Sequence, residues 1–269
     1  MKIQITIIFG LLSFNLYSQK MEKILLDGIE VEVHRNYYGT GELNQEWLQT
    51  LYELHGYQKT FYKNGQLKEI QDYRGNNWTG VDTRYFENAK IQKETKKIND
   101  SLFLSIEYFE NGNKKSEYQL TNKKQEVGNR KDYFENGNIS LQIEYFDNSF
   151  LNGNHVSFYE NSDTCLKGKY ENGIFKVVDF FDSNREQTLN NGTGFIETIQ
   201  NGKLLYFDSY KNGLREGMCK IYSNEGFLKN EGTFKNGKSE GKSIWYKPNG
   251  EIEEIIYMEN DVMTHREKK

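Results

Sequence analysis

Apolar and aromatic residues recur along the chain in short runs separated by polar clusters. From Tyr38 to Tyr246 one pattern keeps returning: an aromatic or apolar residue, one or two polar residues, Asn-Gly, an apolar residue, and often Glu. The clearest copies begin at Tyr62, Phe109, Phe134 and Ile199. Tyr222 and Tyr246 open copies with one extra residue, and degenerate copies stand at Tyr38, Phe86, Tyr159 and Phe181. Successive starts are 24, 24, 23, 25, 25, 22, 18, 23 and 24 residues apart. Eleven or twelve residues after the start a second aromatic appears in most copies: Tyr73, Tyr145, Tyr170, Tyr210, Phe234 and Tyr257. Each half-unit has room for one strand of about five or six residues and a turn, so each unit reads as a β-hairpin. Asn-Gly predicts the turn between the halves as type I′, which needs positive φ at both central residues.

The connections between units repeat as well. Tyr210-Lys-Asn-Gly213-Leu-Arg-Glu-Gly217 and Phe234-Lys-Asn-Gly237-Lys-Ser-Glu-Gly241 are near copies and read as longer turns closed by glycine. Asn44–Leu54 has helical spacing of its leucines and Trp47, but Tyr38–Leu43 aligns with Tyr62–Leu67, which favours strands. The gap of 18 after Phe181 predicts a shortened hairpin or a kink. Hairpins in series pair with their neighbours and need no crossover. The predicted fold is therefore all-β: an elongated single-layer antiparallel meander of about ten tandem hairpins, on the order of 95 Å long for about twenty strands. The organisation is residues 1–19 as a signal peptide, 20–37 as a lead-in strand, 38–257 as repeats, and 258–269 as a C-terminal cap and polar tail.

Composition narrows the classes. A single Ala (Ala89) beside 19 Tyr and 17 Phe argues against a helical bundle, and 14% aromatics against disorder. The net charge of -4 comes without a dense basic block, which makes nucleic acid a poor partner. Met1-Lys2 followed by the apolar Ile3–Leu16 and the small residue Ser18 reads as a secretory signal. The run is short for a membrane span, so no transmembrane anchor is expected after cleavage, and the chain is expected in the periplasm or outside the cell. The alternative is a buried first strand.

Phe61-Tyr62-Lys-Asn-Gly65-Gln-Leu67-Lys-Glu69, Tyr108-Phe109-Glu-Asn-Gly112 and Trp245-Tyr246-Lys-Pro-Asn-Gly250-Glu-Ile252-Glu-Glu254 follow the order aromatic-aromatic-x-Asn-Gly-x-Leu-x-x-Glu. This resembles the MORN-variant repeats of bacterial antitoxin-like proteins. The first copy lacks one spacer before its Glu, and the third inserts Pro248 ahead of the turn. The resemblance implies a repeat sheet used for binding and an antitoxin-like role, although a signal peptide fits poorly with a cytoplasmic toxin as partner.

No catalytic constellation emerges. His34, His55, His155 and His265 fall in different repeats, far from any shared nucleophile. HExxH, paired CxxC and Walker motifs are missing, and Asp179–Glu186 only faintly suggests a calcium loop. No metal and no cofactor are therefore expected. Cys165 and Cys219 lie five strand steps apart, about 24 Å, beyond the roughly 7 Å reach of a disulfide, so two free thiols are expected. The aromatic rows, Tyr62, Tyr73, Phe109, Phe134, Tyr145, Tyr170, Tyr210, Tyr222, Trp245 and Tyr246, are the candidate binding residues. They serve either as cross-strand packing or as an exposed row for a partner or for sugar rings.

The leading expectation is a non-enzymatic, exported scaffold for another protein. An envelope glycan binder is the alternative, and a hydrolase with paired carboxylates on neighbouring hairpins is the enzymatic rival. Intact-mass measurement on the exported protein should give an N-terminus near Ser18 or Gln19. Retention of Met1 would reject the signal peptide.

Overall fold

The computed structural model describes residues 22–145 and 153–269, with the backbone alone at Tyr145. The signal-peptide reading of residues 1–19 lies outside the described residues. Among those described, all regular structure is β, and they fall into two compact units. The first runs to Thr79 and takes in Glu87–Ala89; the second comprises Gly80–Phe86 and Lys90–Lys269.

The first unit holds β1 (Glu22–Leu26), β2 (Ile29–Tyr37), β3 (Leu43–Gln49), β4 (Leu54–Phe61) and β5 (Leu67–Arg74), each paired antiparallel with the next. Asn44–Leu54, with its helical spacing, is thus strand, turn and strand. The second unit opens with β6 (Asn77–Tyr85, from Gly80), β7 (Ile91–Lys97), β8 (Leu102–Tyr108), β9 (Lys114–Thr121), β10 (Glu126–Tyr133) and β11 (Ile139–Tyr145). It continues with β12 (Gly153–Phe158), β13 (Thr164–Glu171), β14 (Ile174–Phe181), β15 (Gln187–Asn190), β16 (Thr193–Gln200) and β17 (Lys203–Lys211). It ends with β18 (Leu214–Tyr222), β19 (Leu228–Lys235), β20 (Lys238–Ser239), β21 (Gly241–Tyr246), β22 (Ile252–Glu259) and β23 (Val262–Lys268). This is the all-β antiparallel meander that the period predicts. The stretch read as a lead-in strand contains two strands, and the stretch read as cap and tail contains the end of β22 and all of β23. The meander therefore extends through both.

The turns differ from the sequence reading. At Tyr62-Lys63-Asn64-Gly65, the Gly65 N–H donates to Tyr62 O (2.9 Å) and the Tyr62 N–H to Gln66 O (2.8 Å). Only Gly65 has positive φ, and the register shifts by one between Thr60 and Phe61. That is a type I turn closed by a glycine bulge, not type I′. Copies recur at Tyr38, Phe109 and Phe134, at Tyr159 with Ser162 (φ 72°) in the place of the glycine, and one residue later than expected at Ser223 and Lys247. Pro248 thereby occupies the second turn position, where its fixed φ belongs. The true two-residue I′ turns are the connections read as long: Asn212-Gly213 (φ 52° and 80°) and Asn236-Gly237 (51° and 81°) join strands directly. Asn201-Gly202, which follows the Ile199 start, is also of this class (50° and 73°). Gly217 lies inside β18, at a bulge.

The sheet curls enough for strands that are not neighbours to meet. In the first unit Val31, Val33 and Leu48 are buried, with Ile24, Leu26 and Tyr57 packed on them. A Cβ at Gly56 on β4 would stand 2.8 Å from Leu26 on β1, three strands away. In the second unit Val177, Phe180 and Leu189 form a core flanked by Leu166, Phe175, Ile196 and Tyr210. This core sits at the shortened hairpin that the 18-residue gap predicts: β15 has four residues and pairs with β14 only at Phe180 and Phe181. The rest of β14 is completed by turn tips. The Gly192 N–H donates to Val178 O (2.8 Å), the Val177 N–H to Gly213 O (2.9 Å), and the Gly213 N–H to Gly192 O (2.9 Å). Cys165 on β13 and Cys219 on β18 are free thiols.

Gly192 and Gly213 are required twice, once for φ and once for space. A Cβ on Gly192 would lie 2.4 Å from Gly213 N, and one on Gly213 would lie 2.9 Å from Val177 O. Gly65 has φ +84° but open space around it. Urea unfolding should show Gly65→Ala losing about 1 kcal/mol, the strain of a left-handed alanine. Gly192→Ala and Gly213→Ala should each lose more than twice that.

Candidate binding surface

Of the ten aromatic residues singled out from the sequence, the nine with described side chains are all half-buried. Their positions explain why. Residues that open a turn reach toward the turn one repeat on: the Tyr38 hydroxyl donates to Phe61 O (2.7 Å), and Tyr159 to Phe181 O (3.0 Å). Tyr62 occupies the same place, with the Lys68 ammonium 5.6 Å from its ring. Phe109 lines a cleft described below, and Phe134 and Tyr222 open or precede further turns. Among the second-row aromatics, Tyr170 packs against Phe175 at 4.8 Å and Tyr210 against the Val177–Leu189 core. Tyr73 donates to Gln71 (2.6 Å). Tyr145 stands opposite Gly128 in register. Trp245 stands opposite Glu254 and Asn230.

The consensus Glu has a defined job that the sequence did not reveal. Glu46 stands between Arg35 and Lys59 in register, accepting from Arg35 Nε (2.7 Å) and from the Tyr57 hydroxyl (2.9 Å). Glu94 accepts from Tyr108 (2.7 Å) and pairs with Lys96 (2.9 Å). Glu231 accepts from Tyr246 (2.6 Å). Burial works against ionisation of Glu46, yet the Arg35 and Tyr57 hydrogen bonds outweigh it and hold the carboxyl below its usual range. The partner phenols move the other way. Burial, then the hydrogen bond to the carboxylate, pushes Tyr57 and Tyr108 up to about 12; for Tyr246 the Glu231 hydrogen bond leads, also to about 12.

The histidines remain dispersed. His34 stacks on Trp47 at 5.3 Å, and His155 packs edge-on against Phe175 at 5.0 Å, where burial lowers its pKa. Among the described residues no three His, Cys, Asp or Glu side chains converge as metal ligands would. In the stretch with a faint calcium-loop look, Asp182 Oδ1 accepts the N–H groups of Asn184 (2.8 Å) and Glu186 (2.9 Å), so it closes its own turn. A cleft of about 530 Å³ in the second unit is lined by Arg84, Lys93, Lys115, Glu107, Glu110 and Glu135, with Phe86 and Phe109 as apolar wall. Its cations and carboxylates balance, and Lys93 is engaged by Tyr118 (3.0 Å).

The most exposed aromatics lie outside the landmark rows: Tyr37, Tyr52, Phe195 and Tyr206. In the second unit, Phe195 stands opposite Ser209, and Phe207 opposite Glu197 and Lys220, which puts both Phe rings on one face with Met218. The two rings stack at 5.6 Å, and Met218 is 48% exposed. Sequence reasoning passed over this patch because neither Phe falls on a repeat landmark. Alternation counted from the Asn201-Gly202 turn would have set them on opposite faces; the register shift between Thr198 and Ile199 is what brings them together.

Residues 54–74, 126–148 and 239–260 match the family described as MORN repeat variant. The first and last of these stretches span a strand, a bulge-closed turn and the next strand: β4–β5 and β21–β22. Comparison with curated proteins finds no match. Among solved structures the chain is similar to a chain in the crystal structure of TcdB2-TccC3-Cdc42, at 11% identity and a TM-score of 0.18. That match covers 85% of this chain and 14% of the other.

A tyrosine whose pKa is raised by folding contributes stability that is fully present below its unfolded pKa of about 10 and lost as pH rises through the folded value. Rapid alkaline pH-jump titration followed by phenolate absorbance should therefore show a late phase near pH 12. Replacing Tyr57, Tyr108 and Tyr246 by Phe together should remove most of its amplitude.

Proposed function

We propose that the protein is an exported, non-enzymatic scaffold that binds another protein. The carrying observation is the apolar patch in which Phe195 and Met218 are exposed beside the half-buried Phe207, on a sheet whose landmark aromatics are committed to holding turns and strands together. A cluster of this kind, rimmed by Glu197, Lys220 and other polar groups, suits a protein partner. Repeats of the MORN type commonly bind proteins, which supports the same reading. Export rests on the apolar Ile3–Leu16 stretch after Lys2. Toxin neutralisation, the role implied by the resemblance, is one form that such binding takes. The glycan reading is less favoured because Phe195 and Phe207 turn their ring faces toward each other, leaving little flat surface for a sugar to stack on.

The test is crosslinking of the exported protein in its own cells, read by mass spectrometry, alongside a glycan pulldown with the purified chain. The expected result is crosslinks from β16–β18 to one other protein and no glycan retention. Phe195→Ser and Met218→Lys should abolish those crosslinks; Met218→Lys should change stability by less than about 1 kcal/mol, as is usual for exposed positions, and Phe195→Ser by about 1 to 2 kcal/mol through loss of its stack on Phe207. Glycan retention that survives both substitutions, with no protein crosslinks, would reject the proposal.

A further inference from the structure

Ten Asn-Gly pairs occur in the chain, and that sequence carries a chemistry of its own: the glycine amide nitrogen can attack the side-chain carbonyl carbon of the asparagine before it. Folding decides which pairs are able to react. In the bulge-closed turns both reacting groups are held. The N–H groups of Gly65, Gly112, Gly137 and Gly250 each donate to the carbonyl that opens the turn (2.9 Å). The Oδ1 atoms of Asn64, Asn111, Asn136 and Asn249 each accept the main-chain N–H two residues on (2.9 to 3.1 Å).

The I′ turns make a closer comparison, because their backbones are nearly the same. Asn191-Gly192 (φ 47° and 75°), Asn201-Gly202 (50° and 73°), Asn212-Gly213 (52° and 80°) and Asn236-Gly237 (51° and 81°) differ in what the glycine nitrogen meets. Gly192 donates to Val178 O (2.8 Å), Gly213 to Gly192 O (2.9 Å) and Gly237 to Arg215 O (2.9 Å). Asn201-Gly202 lies at the other end of its strands, where its neighbours are the longer turns Asp182–Arg185 and Ser223–Gly226. Among the described residues neither the Gly202 N–H nor the Asn201 side chain has a hydrogen-bond partner, and both residues are exposed. No other part of the chain comes within 4 Å of where a Gly202 Cβ would stand. Asn172 has an interaction of its own and Asn152 lies outside the described residues, so neither enters the comparison.

We propose that the folded chain directs spontaneous deamidation to Asn201, with water as the only co-reactant. Hydroxide takes the proton of the Gly202 N–H, and the nitrogen attacks Cγ of Asn201. As the new C–N bond forms, the side-chain nitrogen leaves as ammonia, recovering a proton from water. The five-membered imide that remains takes up water at either carbonyl and opens to aspartate or isoaspartate; nothing is oxidised or reduced. Both products put a carboxylate in the turn of the β16–β17 hairpin, and isoaspartate also lengthens its main chain by one carbon. In the held turns the same attack has to wait for hydrogen bonds to open. This chemistry needs only the turn and is independent of the partner proposed for Phe195, Phe207 and Met218.

The test is to keep the purified chain folded at mildly alkaline pH and sample it over weeks. Each sample is digested with an acid protease, which stops the reaction, and fragment spectra locate the mass gain of an amide becoming an acid. Asn201 should be modified about fivefold or more faster than Asn191, Asn212 and Asn236, the factor expected when a hydrogen bond must first open. Its rate should rise with pH, because the attacking nitrogen must lose a proton. In urea all four should react at similar rates, which ties the difference to the fold. Asn191, Asn212 or Asn236 reacting as fast as Asn201 in the folded chain, no reaction at Asn201, or the same ranking in urea would overturn the proposal.

Discussion

The structure depends on main-chain hydrogen bonding between strands that follow one another in the chain. No helix covers the sheet among the described residues, so each hairpin can satisfy its backbone only through its immediate neighbours or through turns. Two turn geometries make this work. Bulge-closed type I turns begin the repeats, and most of the connections between them are two-residue I′ turns that keep the strands in tight register. Because the bulge-closed turn spends an extra residue on one strand, it adds local twist. The accumulated twist curls the sheet until β1 meets β4 in the first unit. The small cores around Leu48 and Leu189 are products of that curl.

Electrostatics follows the same local logic. The recurring Glu sits where a cation or a tyrosine from an adjoining strand reaches it, as at Glu46 between Arg35 and Lys59. Pairs of this kind are partly buried, so the cost of desolvation offsets much of their attraction. Here they set which side chains stand beside each other, and the phenol hydrogen bonds add direction to an otherwise loose ionic pairing. The landmark tyrosines and phenylalanines are thereby tied to neighbouring repeats, which leaves the chemistry available to a partner in positions that do not repeat.

The period, the hairpin unit and the shortened unit after Phe181 were all legible in the sequence, since each depends on spacing alone. The turn types were not. Asn-Gly serves both geometries, and whether Asn takes positive φ depends on how many residues the flanking strands leave for the loop, as Asn64 and Asn212 illustrate. That so long a sheet must twist was legible, but how far it curls was not, because the curl is a sum of small rotations that no single residue encodes. Phe195, Phe207 and Met218 escaped for a different reason: a search keyed to recurrence finds the residues that hold copies together and overlooks those peculiar to one copy.

The completion of β14 by the tips at Gly192 and Gly213 bears on how such a chain can change length. A strand half lost to a deletion would ordinarily leave a row of stranded amides and carbonyls in the middle of a sheet. Here loops from further along fold over the gap and supply the missing donors and acceptors from main chain alone, with no particular side chain needed. An array that can mend itself in this way tolerates the loss of a fraction of a module, so its evolution need not proceed in whole repeats.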